Sequence, residues 1–141
     1  MVVTSRGYNL ATAEEAALKL MKTTYIVAQA FSAADLRHGP IAMIGHDFPI
    51  LIIAPPGRAQ PGMEALAENL RDRGAELVVI SDERTMFDKA SAKFRMPESP
   101  LEELSPIACA IPIQLLAENL ARLKRLNPDS PRGLTKVTET W

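Results

Sequence analysis

Two short runs, Ile50-Leu51-Ile52-Ile53-Ala54 and Leu77-Val78-Val79-Ile80, contain no polar residue. A strand with one face in water alternates apolar and polar side chains, so an unbroken apolar run reads as a strand covered on both faces. Such strands belong to parallel sheets, whose crossover connections lay helices against each side. Between the two runs, Pro61 to Arg73 places Met63, Leu66, Ala67 and Leu70 at helical spacing and stops at Gly74. The expected fold class is therefore α/β, a three-layer α/β/α unit around a mostly parallel sheet.

The flanking segments extend this pattern. Met1 to Ser5 is a short β-branched run halted by Arg6-Gly7, a strand entering a tight turn. Thr12 and Glu15 have the spacing of a capping box. Ala13 to Ala30, without Gly or Pro and with Ala17, Met21, Thr24 and Ala28 in register, is expected as one helix. Phe31 to Pro40 reads as a loop, Asp82 to Ala90 as a short helix and Lys93 to Met96 as a weaker strand. Pro106 to Leu126 reads as a helix opened by a first-turn proline, with Pro112 marking a kink or a late start. Strands are thus expected near Val2–Ser5, Ile50–Ala54, Leu77–Ile80 and Lys93–Met96. Asp129 to Trp141 has the composition of a polar tail.

At 141 residues the chain has room for one domain. A net charge of −1 leaves no basic excess to displace counterions, which argues against a nucleic-acid partner. The single cysteine, Cys109, excludes an internal disulfide; inside the apolar run Ile107–Ile113 it reads as a small buried hydrophobe. No metal-ligand spacing occurs, so no metal or other cofactor is expected. Nothing resembles a charged leader before an apolar core, and no apolar run approaches the roughly 20 residues of a membrane span. The expected location is cytoplasmic.

Three stretches together resemble one family. Ser5-Arg6-Gly7-Tyr8 followed by Glu15-Ala16-Ala17-Leu18-Lys19-Leu20 is similar to its strand, Arg-Gly turn and helix. Asp35-Leu36-Arg37-His38-Gly39-Pro40 is similar to its histidine loop, and Pro131-Arg132-Gly133-Leu134-Thr135-Lys136-Val137-Thr138-Glu139 to its carboxy terminus. In order, and spanning the chain, they resemble the second of the two sugar-isomerase (SIS) domains found in tandem in glucosamine-6-phosphate synthases and deaminases. The resemblance implies a flavodoxin-like sheet and a single domain, residues 1–141, in which residues 129–141 reach toward the active site. The Ser/Thr-rich loop that holds the sugar phosphate belongs to the family's first copy and is absent here.

Interconverting a ketose phosphate and an aminoaldose phosphate needs a base to carry a proton between adjacent carbons and a group to open the sugar ring. An amine can also activate the ketone as a Schiff base. The resemblance assigns ring opening to His38, supplied to a neighbouring subunit, and the Schiff base to Lys136. It places Glu15 and Lys19 along the site, and puts Lys22 where the family has its glutamate base. At about 100° per residue, Glu15, Lys19, Lys22 and Ile26 fall in one narrow arc of a helix. A lysine is ordinarily protonated at neutral pH and then accepts no proton, so Lys22 argues against full activity. Arg6, at the end of a strand, is placed to meet an anionic substrate.

Each residue also has a plainer reading: Glu15 as a cap or as an i,i+4 partner of Lys19, Lys22 as a solvated helix residue, His38 and Lys136 as loop and tail residues. Two functions stay open. One is an aminosugar-phosphate isomerase, aminotransferase or deaminase half acting on fructose-6-phosphate or glucosamine-6-phosphate. The other is a sugar-phosphate-binding or interaction domain without catalysis. Either is expected as a homodimer or beside a chain carrying the first SIS copy.

Overall fold

The computed structural model describes residues 1–133. Five strands form one sheet: β1 (Val2–Ser5), β2 (Gln29–Ser32), β3 (Pro49–Ala54), β4 (Glu76–Ser81) and β5 (Ala92–Arg95), in the order β2-β1-β3-β4-β5. All four neighbouring pairs are parallel; Val2 faces Gln29 on one side and Ile50 on the other. Four α-helices lie in the connections, α1 (Leu10–Thr24), α2 (Ala33–Arg37), α3 (Gln60–Asp72) and α4 (Arg84–Phe87), and α5 (Ser105–Leu123) follows β5.

Alternate strand residues feed two cores. Ile50, Ile52, Leu77 and Val79 pack with Met63, Leu66, Ala67 and Leu70 of α3 and with Leu36 and Met86. Val3, Leu51, Ile53 and Ile80 pack with Ala13, Ala16, Ala17 and Leu20 of α1 and with Cys109 and Ile113 of α5. β3 is apolar throughout because both its faces are inside, as its sequence required. Gly74 ends α3 at φ +79, and a Cβ there would lie 2.9 Å from the His46 ring.

The structure corrects several expectations. The helix over Ala13–Ala30 stops at Thr24, where Tyr25 turns left-handed at φ 57, so Ile26 leaves the helical arc. The released chain forms β2, at the sheet edge, and Phe31–Pro40 holds a strand residue pair and α2 rather than loop alone. Thr12 does not cap α1: the helix begins at Leu10, and Thr12 donates instead to Asn9 Oδ1 at 3.1 Å. The helix expected over Asp82–Ala90 is shorter, and the weak strand is displaced by one residue to Ala92–Arg95. By length and composition Glu102–Leu123 is apolar enough to cross a membrane, with mean hydropathy 1.3. Here its inner side lies on α1 and the sheet, with Cys109, Pro112, Ile113, Ala117 and Ala121 buried.

Candidate functional site

Ligands of open α/β sheets bind beyond the carboxyl ends of the strands, where the strand order reverses. In this sheet the chain runs outward from β1 to β2, then returns across β1 to β3 and continues the other way. The reversal lies between β1 and β3. Arg6 follows β1 directly, in extended backbone at φ −145 and ψ 156. Arg58 follows β3 after the Pro55-Pro56-Gly57 turn. With Gly7, Tyr8, Gly62 and Glu102 they line an open cleft of about 580 Å³.

Buried hydrogen bonds fix the walls of this cleft. Asn9, 2% exposed, donates through Nδ2 to Ser105 Oγ at 2.7 Å, and Ser105 donates to the Glu102 carbonyl at 2.6 Å. The Arg6–Tyr8 turn is thereby held against the segment that carries Glu102. Gly57 adjoins the same carboxylate: a Cβ on it would lie 2.6 Å from Glu102 Cδ, so a side chain there would displace the Glu102 side chain. The strand-end hydroxyls are not free for a ligand. Ser5 donates to the Ile53 carbonyl at 2.7 Å and Ser81 to the Ala54 carbonyl at 2.6 Å.

The other residues singled out from the sequence lie apart from this cleft. Glu15 and Lys19 form a half-exposed ion pair at 3.2 Å on α1. Lys22, exposed one turn further on, is in the last turn of α1 and makes no ion pair among the described residues. From Leu10 to Lys22 a helix advances about 18 Å, so Lys22 stands toward the opposite end of the sheet from Arg6. His38 caps the carboxyl end of α2, its N–H donating to the Asp35 carbonyl at 3.0 Å.

Its neighbours have structural work. Ser32 accepts from the Asp35 N–H and donates to the Asp35 carboxylate at 2.6 Å, and Arg37 donates to the Gly62 carbonyl at 2.8 Å. The imidazole of His38 is exposed and makes no hydrogen bond among the described residues. Lys136 lies outside the described residues. Just before it, Arg132 donates its N–H to Tyr25 Oη at 2.9 Å and lays its guanidinium 4.7 Å over the Tyr25 ring.

Glu15, Lys19 and Lys22 thus share one exposed stripe of α1, while Arg6 and His38 follow the carboxyl ends of β1 and β2. Among the described residues they form no closed pocket. Arg58 and Glu102 were not legible as site residues. The only signal for Arg58 is a basic residue just past a buried strand, and Glu102 arrives from a distant part of the sequence. No group of three or more His, Cys, Asp or Glu is arranged to hold a metal among the described residues.

A family model described as SIS domain matches residues 1–123. The chain belongs to the SIS family. This SIS chain is 40% identical over 131 residues to the glutamine–fructose-6-phosphate aminotransferase [isomerizing] of Pyrococcus horikoshii, covering 93% of the chain and 22% of that protein. It is 41% identical over 133 residues to the enzyme of the same name from Acidithiobacillus ferridurans, again 93% of the chain and 22% of the relative. It therefore spans about a fifth of the length of these relatives.

Among solved structures, the C-terminal domain of glucosamine-fructose-6-phosphate aminotransferase from Francisella tularensis superposes with a TM-score of 0.82 at 26% identity, covering 92% of this chain and 37% of that one. Glucosamine-6-phosphate deaminase from Thermotoga maritima shares the fold at a TM-score of 0.74 and 20% identity, over 96% of this chain and 39% of that one.

Proposed function

We propose that this SIS domain binds a sugar phosphate of the fructose-6-phosphate or glucosamine-6-phosphate kind and is the second copy of a tandem pair. In this reading it forms half of an isomerase, aminotransferase or deaminase site. The observation that carries it is 40% identity across 93% of the chain to an isomerizing aminotransferase of which the chain covers only 22%. His38 opens the sugar ring in a neighbour's site; its exposed, unbonded imidazole supports that role. Lys136 forms the Schiff base. The tether of Arg132 at Tyr25, three residues beyond Lys22, supports bringing the tail to this end of α1. Glu15, Lys19 and Arg6 line the substrate. The protein works in the cytoplasm, without cofactor, as a homodimer or beside a first SIS copy.

Lys22 favours a second reading, a binding domain without catalysis. The family's base must take a proton from the carbon beside the carbonyl, and an exposed ammonium group does not. Losing a positioned base costs ~10²–10⁴-fold in rate. Solvent deuterium wash-in on fructose-6-phosphate, followed by NMR with a first SIS copy supplied on a partner chain, separates the two. Slow or no exchange by the native chain, restored by Lys22→Glu, is the expected result. Equal, robust exchange by both would show that Lys22 never compromised catalysis. No exchange in either would leave the binding reading.

A further inference from the structure

The cleft at the β1–β3 reversal contains two guanidinium groups and the Glu102 carboxylate, which among the described residues pairs with neither. Several other arginines are spent: Arg37 on the Gly62 carbonyl, Arg73 on Asn69, Arg95 on Asp82, Arg122 on Glu118. Arg6 and Arg58 make no ion pair or side-chain hydrogen bond among the described residues, although both line the same cleft. Gly62 lies beside Arg6, where a Cβ would sit in ordinary contact, 3.8 Å from Arg6 Nη1. The start of α3 supplies little of the positive field, since Pro61 has no N–H and the Gln60 N–H is already given to the Gly57 carbonyl. The charge is that of the two arginines.

We infer that this domain carries a phosphate site of its own, which takes the phosphomonoester of a small polyhydroxylated molecule. Arg6 and Arg58 hold the phosphate, each presenting parallel N–H donors to its oxygens. Glu102, the one carboxylate lining the cleft among the described residues, repels the phosphate toward the arginines and accepts hydrogen bonds from the ligand's hydroxyls. Tyr8 offers an exposed ring to the carbon skeleton. A volume of about 580 Å³ is that of a small-molecule site. For the class of ligand this deepens the sugar-phosphate reading and rests on it. The site shares Arg6 with that reading but lies within this domain alone, because it does not draw on the Ser/Thr-rich loop of a first copy.

Calorimetric or NMR titration of the full chain at low ionic strength tests it, with inorganic phosphate, fructose-6-phosphate and fructose as probes. Saturable phosphate binding is expected, weakened about tenfold or more by Arg6→Ala and by Arg58→Ala. Arg58→Lys should retain part of it. Fructose-6-phosphate should bind more tightly than inorganic phosphate, and Glu102→Gln should abolish that margin without weakening phosphate itself. Because both arginines are exposed, unchanged circular dichroism is expected for each variant. No saturable binding by the native chain, or equal binding by the Arg6→Ala/Arg58→Ala double variant, overturns the site. A margin that survives Glu102→Gln overturns the role of Glu102. The deuterium experiment fails independently: absent exchange with phosphate binding intact removes the catalytic reading alone.

Discussion

Cys109 shows what enclosure does to a single reactive group. It is fully buried on the inner side of α5, its Sγ 3.7 Å from Met96 Sδ, and burial pushes its thiol from 9.0 up to about 12. The thiolate is the nucleophilic form, so the folded chain should resist an aromatic disulfide reagent at pH 8 while the urea-unfolded chain reacts at once. Fast reaction of the folded chain would refute this. The sign of the pH effect follows. The folded thiol keeps its proton where the unfolded one has lost it, so its contribution to stability is intact below pH 9.0 and fades as pH rises toward about 12. Cys109→Ala should flatten the alkaline fall in Tm over that range; identical slopes would show that Cys109 plays no part. Thr4 is buried at a different cost, its Oγ1 without a hydrogen-bond partner among the described residues.

At the level of elements, helix ends decided how much could be read in advance. After α5, Arg125 adopts φ 57 and its N–H donates to the Arg122 carbonyl at 2.9 Å. Glycine suits that conformation, so Arg125→Gly should raise stability by about 0.5–1 kcal/mol in a urea melt. An unchanged or lower midpoint would mean that the arginine side chain offsets its own strain. The same left-handed stop at Tyr25 hid β2. With no Gly or Pro there, the helical pattern ran on to Ala30 and concealed the break. β2 is an edge strand with no fully buried residue, so it lacks the unbroken apolar run that made β3 and β4 legible. Arg6 was legible because it directly follows a strand. Arg58 and Glu102 meet through tertiary contact around Gly57, which no local pattern records.

On the scale of the whole molecule, α1 and α5 leave an apolar outer face. Leu18, Met21, Ile111 and Leu115 are exposed, Ile107 is 70% exposed, and a groove of about 370 Å³ runs between the two helices past Ala11, Pro106 and Ala110. Monomers rarely expose such area, so light scattering at micromolar concentration should show self-association, or a defined complex once a first SIS copy is added. A stable monodisperse monomer that ignores the first copy would count against this. The all-parallel sheet has a further consequence, for how the chain reaches its fold. No two neighbouring strands can be closed by a tight turn: Val78 meets Ala92 at the nearest, and Val2 must find Ile50. Each pairing waits for a crossover helix, so loop-closure entropy is lost before any strand contact offsets it. Until then Ile50–Ala54 and Leu77–Ile80 are bare sticky segments in the unfolded chain. Recovery from denaturant is therefore a race between slow intramolecular pairing and aggregation, and dilution favours the first.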